Sequence, residues 1–132
     1  MTGITSGVID PARGLGQHGF MTAYALAHLR RSESVHPAVL EYMARVQDTL
    51  DPFGGRFLVH GGVLDVKEGD WPGDVVLVEF PDMERARAWY ASPAYQEILP
   101  LRADHLAGEL VLVDGVAPGH SAAAKAARLA GS

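Results

Sequence analysis

Five side chains in this sequence have the chemistry and the setting of a functional site: His28, His60, His105, Glu79 and Arg102. Imidazole titrates near neutral pH, so His28 and His60 are candidate general acids or bases, and His105 is a candidate substrate contact. Glu79 interrupts the apolar run VVLVEF. Buried there, its pKa would rise and it could serve as a second titrating catalytic group; at the rim of an interface it would be an ion-pair partner. Arg102 shares a helical stripe with Tyr95, Ile98 and His105, a spacing that places them on one face. A guanidinium so placed is a natural carboxylate anchor, and its plainer role is an ion pair with Glu97 or Asp104. Tyr95 and Trp71 complete the candidate substrate contacts. Tyr95 also has the core-like helical spacing of Trp89 and Tyr90. Trp71, in the loop over residues 68–72, is costly to leave in water, so it is expected to lid a cleft or to pack on a partner.

Three imidazoles are also the material of a zinc or iron site. No local ligand spacing supports one, and strands carrying His28 and His60 on either side of a third would hold them about 10 Å apart. No metal is assigned. No cofactor is assigned either: the chain has no P-loop, no G-x-G-x-x-G after a strand, no G-x-S-x-G and no H-E-x-x-H, and haem has only the histidines themselves to recommend it.

The elements that must position these groups follow from periodicity. Residues 22–30 (TAYALAHLR) alternate as a strand, with Ala23, Ala25, Ala27 and Leu29 on one side and Tyr24, Leu26, His28 and Arg30 on the other. Pro37 suits a first helical position, and Val39, Leu40, Met43, Val46 and Leu50 recur at helical spacing until Asp51-Pro52 and Gly54-Gly55 stop the helix. Residues 56–60 and 75–80 read as strands, with a short extra strand possible at 63–67. Asp82 caps a second helix through Tyr90, Ser92-Pro93 restarts it, and Pro100 is expected to kink or break it before Leu106. Residues 109–114 close the domain as a strand.

This order is β-α-β-β-α-β, an α+β ferredoxin-like plan: a four-stranded antiparallel sheet, order 4-1-3-2, with two helices on one face. In it the first two strands and the second helix run the same way, so His28, His60 and His105 approach one edge. The runs VVLVEF and ELVLVD are apolar at nearly every position, as strands covered on both faces are. The cheapest cover for the second face is another copy of the chain, so a homodimer is expected.

Composition sets the outer bounds. A chain of 132 residues fits one domain, placed at residues 22–116, with a flexible extension at 1–21 and a mobile tail rich in Ala, Gly and Ser at 117–132. Cysteine is absent, which excludes a disulfide framework, a thiolate metal site and a cysteine nucleophile, and makes the cytoplasm the default compartment. A net charge of −5 gives no footprint for nucleic acid, and no apolar run is long enough to span a membrane.

The segments FLVHGG, EGDWP, VVLVEFPD, AWYASPAYQEILPLR and LVLVDG, in that order, resemble the domain-of-unknown-function 1330 family, within the dimeric α/β-barrel superfamily. The resemblance spans roughly residues 22–115 and implies a ferredoxin-like protomer and a two-fold dimer. It further suggests cofactor-free or loosely metal-assisted chemistry, such as monooxygenation, cyclisation or isomerisation, on small oxygenated substrates. One departure is His60, where the family usually carries arginine in an LVRGG turn. The expected function is therefore small-molecule binding in a cleft between sheet and helices, with an enzymatic role favoured. The alternative is a non-catalytic ligand-binding or interaction protein.

Overall fold

In the computed structural model, which describes residues 21–30 and 32–131, the alternating run forms strand β1, Ala23–Leu29. The extension expected over residues 1–21 lies, apart from Met21, outside the described residues. Helix α1, Pro37–Leu50, begins with proline where a missing N–H costs nothing and ends in a 3-10 turn, Asp51–Phe53, closed by Gly54 at φ 73°. Its N-cap is His36, whose Nδ1 accepts from the Ala38 N–H at 3.0 Å. Strands β2, Arg56–His60, and β3, Asp74–Phe80, follow. The segment 63–67, a possible strand by sequence, has no ladder partner and stays irregular, entered through Gly61 and Gly62 at φ 76° and 86°.

Asp82 caps helix α2, Met83–Ala91, and Ser92 joins it to helix α3, Pro93–Ala103. The Ser92 hydroxyl donates to the last turn of α2 at the Trp89 carbonyl (2.7 Å) and accepts from the Tyr95 N–H at the start of α3 (3.2 Å). Ser92→Ala should therefore cost about 1–2 kcal/mol in urea denaturation, because two helix ends lose a partner at once. Pro100 does not end α3, contrary to expectation. The helix continues to Ala103, held by the burial of Tyr95, Ile98 and Arg102 along one face against α1, and packing outweighs the one lost hydrogen bond.

Strand β4, Gly108–Asp114, completes an antiparallel sheet of order β2-β3-β1-β4, the ferredoxin-like arrangement expected. Helices α1 to α3 cover one face. There Ala23, Ala25, Val46, Leu50, Val78, Phe80, Trp89, Tyr95 and Ile98 form the core, and the Trp89 indole N–H is satisfied by the Thr49 hydroxyl at 3.0 Å. Within residues 117–131, helix α4, Ala122–Ala130, is capped by Ser121, with every described residue exposed; its alanines supply the propensity. Among the described residues no helix is long and apolar enough to cross a membrane.

Candidate functional site

Strand β1 presents alanine to the helices at Ala23, Ala25 and Ala27, all buried. Side chains this small leave room beneath α1. The result is a cavity of about 350 Å³ between sheet and helices, floored by Ala25, Ala27, Val76 and Val78 and walled by Val39, Tyr42, Val46 and Phe57. Val35 and Met43, each about half exposed, stand at its mouth.

Arg102 lines this cavity although only 8% of its surface is exposed. Its Nη2 donates to the Tyr95 hydroxyl at 3.2 Å, and its guanidinium carbon sits 5.4 Å from the centre of the Tyr42 ring. The Tyr95 and Tyr42 hydroxyls are in turn 2.9 Å apart. Among the described residues no carboxylate reaches Arg102, and its buried Nε has no hydrogen-bond partner. The ion pair with Glu97 considered from sequence does not form: Glu97 is taken by Arg45 of α1 at 2.8 Å. Burial works against the charge on Arg102, but the tyrosine oxygens outweigh it and the guanidinium holds its proton more firmly than usual. Burial, then the neighbouring Tyr95, pushes the Tyr42 phenol well above the ordinary tyrosine range, so Tyr42 remains a hydroxyl donor at any physiological pH.

The candidate histidines divide between the two faces of the sheet. His60 lines the cavity, its ring stacked on Phe57 with centroids 4.4 Å apart. A β-bulge puts it there: Phe57 pairs with Val78 and Val59 with Leu77, leaving Leu58 as the extra residue. Unbroken alternation from Phe57 would turn His60 away from the helices; the bulge re-aims it inward. His105, just beyond α3, also lines the cavity and stacks on His36, with centroids 3.7 Å apart. Because His36 Nδ1 accepts the Ala38 N–H, the neutral ring carries its proton on Nε2.

His28 does not join them. Its parity along β1 is opposite to that of the alanines, and it lies on the far face, its Nε2 2.6 Å from the Pro72 carbonyl oxygen and its ring 4.7 Å from that of Trp71. Glu79 is on that face too, ion-paired to Arg56 at 2.7 Å. Trp71 covers His28 rather than the cavity. Of the residues proposed from sequence, the fold thus brings together His60, Arg102, Tyr95 and His105, and separates His28, Glu79 and Trp71 from them. Sequence reasoning missed Tyr42 and His36. Tyr42 could have been found on the stripe Val39, Tyr42, Val46; His36 shows its place only by directly preceding Pro37. Among the described residues no cluster of His, Asp or Glu has the arrangement of a metal site.

Comparison with known proteins extends the fold but not the chemistry. No protein of curated function matches the chain. A protein of unknown function from Rhodopseudomonas palustris superposes with a TM-score of 0.59 at 19% identity, covering 86% of this chain and 100% of that one. A dimeric ferredoxin-like protein of unknown function from Thermobifida fusca gives 0.51 at 19% identity, over 73% and 91% of the two chains. The hydroxynitrile lyase of Passiflora edulis gives 0.56 at only 7% identity, over 76% and 97%. At such identities the likeness is one of fold. The matching family model is a domain of unknown function, DUF1330, which aligns with residues 22–116, and it is to this family that the chain belongs.

Proposed function

We propose that the chain binds a small, largely apolar organic molecule in the cavity between sheet and helices, and does so as a homodimer joined through the opposite face of the sheet. The observation that carries the binding reading is the cavity over Ala25 and Ala27: at about 350 Å³ it lies at the small end of ligand pockets, in a fold whose interior should otherwise be filled. Ala27→Leu tests it by placing a side chain in that space. A panel of apolar probes, including 1-octanol and octanoate, should raise the melting temperature of the parent, with about 2.7 kcal/mol of stabilisation for a probe at a hundred times its Kd. The variant should fold and show no such rise. A panel without effect on the parent, or equal effects on both proteins, would contradict the reading.

The dimer reading rests on the uncovered face of the sheet, where Leu26, Val59, Val111 and Val113 are exposed. The neighbour from Thermobifida fusca, and another from Jannaschia, are described as dimeric ferredoxin-like proteins. Light scattering at micromolar concentration should give about twice the chain mass of 14.1 kDa, and Leu26→Asp should return it to a single chain. A parent of 14.1 kDa would contradict the dimer.

Acid–base chemistry on the bound molecule is a second reading of the same cavity, favoured by its lining of His36, His60 and His105. Nitrogen NMR of the imidazoles tests it. A cavity ligand should move the signals of these three, with His28 on the far face as the unmoved control; a ligand that leaves all four unchanged removes the acid–base role.

A further inference from the structure

We infer that the molecule taken by this cavity is a monocarboxylate with an apolar body, its carboxylate received by Arg102 and the Tyr42 hydroxyl. This rests on the cavity being a ligand site, and adds the chemical class of the ligand.

The direction of the hydrogen bonds leads to it. Arg102 can only donate, so the Tyr95 oxygen is the acceptor of that bond. Tyr95 is fully buried, and its own proton needs an acceptor; the oxygen within reach is that of Tyr42 at 2.9 Å. Tyr42 therefore accepts from Tyr95, and its own O–H is left to donate elsewhere, from a side chain that lines the cavity. Arg102 likewise spends one N–H on Tyr95, while its buried Nε–H has no partner. Two donors from different helices, one of them cationic, thus line the same apolar space, with no described carboxylate on either. A buried guanidinium without a counter-charge is a costly arrangement that a bound anion relieves.

The charge of the ligand follows from the rest of the lining. The other described cation of the lining, Arg30, is held by Glu109 at 2.8 Å, which leaves Arg102 as the one with no described carboxylate on it. One uncompensated positive charge beside a neutral phenol matches a monoanion; a phosphate dianion would exceed it. The planar fork of a carboxylate also fits a guanidinium with parallel N–H donors. The walls, valine and aromatic rings, suit an alkyl chain or a single ring as the body.

Isothermal titration of matched probes tests the inference: octanoate, 1-octanol and inorganic phosphate against the parent, Tyr42→Phe and Arg102→Gln. The parent should bind octanoate at least tenfold more tightly than octanol and should not bind phosphate. Arg102→Gln should weaken octanoate by more than about 30-fold and Tyr42→Phe by about tenfold, each leaving octanol within about threefold. Tyr42→Phe removes only a hydroxyl, so it reports even if Arg102→Gln fails to fold. Octanol binding as well as octanoate, or octanoate binding untouched by Tyr42→Phe, overturns the carboxylate and leaves the cavity reading standing. Phosphate displacing octanoate also overturns it. Failure of every probe overturns both.

Discussion

Arg102→Met should yield a protein that is more stable when empty, by about 1–3 kcal/mol in urea denaturation, and that no longer responds to octanoate. The guanidinium of Arg102 is withdrawn from water among neutral groups: it donates to the Tyr95 hydroxyl, lies over the Tyr42 ring and leaves its Nε without a partner. Methionine has a similar reach, carries no charge to desolvate and suits an irregular apolar gap. Nothing else is orphaned by the change, because Tyr95 still donates to Tyr42. A stabilising substitution that abolishes binding marks a residue kept for its ligand rather than for the fold. A loss of more than about 1 kcal/mol would instead mark Arg102 as a structural cation.

Gly73→Ala should destabilise the fold by about 2–4 kcal/mol. Gly73 has φ 111°, and a Cβ there would overlap the carbonyl oxygen of Leu29 and lie 2.8 Å from the Arg30 Cα. The obstacle is backbone, which cannot rotate aside. Leu29 ends β1, and it and the following Arg30 line the cavity beside Asp74, so the same substitution should loosen the binding site. Gly61→Ala is the control: its φ of 76° carries the conformational penalty, but a Cβ would meet nothing within 4 Å. About 1 kcal/mol is expected there. Equal losses at the two positions in denaturant titration would show that close packing at Gly73 is not what holds β3 against the end of β1.

Both results depend on features that differ in how openly the sequence displays them. The alternation of residues 22–30 marks β1, Pro37 and the Asp51-Pro52 stop delimit α1, and the β-α-β-β-α-β order follows from these signals because each is local. His28 and His60 reach the same end of the sheet, opposite Val75 and Val76, yet lie on different faces, for a reason the sequence already contains. Strand direction decides which end a residue reaches, whereas parity decides its face, and His28 has the parity opposite to Ala25 and Ala27. The inward turn of His60 has no such local mark. It depends on the bulge at Leu58, a matter of pairing between β2 and β3.

The isolation of Arg102 was equally invisible. Glu97 is close in sequence, yet it turns outward to Arg45 of α1, a residue distant in the chain. Nothing local in the sequence marks the Tyr42 hydroxyl, and only the packing of α1 on α3 gives it a neighbour to accept from. Helix continuation through Pro100 is tertiary in the same way: without the buried face of α3, Arg102 would fall beyond a helix end.

A crystal structure of the protein grown with octanoate tests the binding site most directly. The carboxylate should lie about 2.7–3.2 Å from the Arg102 guanidinium and the Tyr42 hydroxyl, with the alkyl chain over Ala25 and Ala27. Octanoate bound on the outer face of the sheet, or a cavity holding only water, would contradict it.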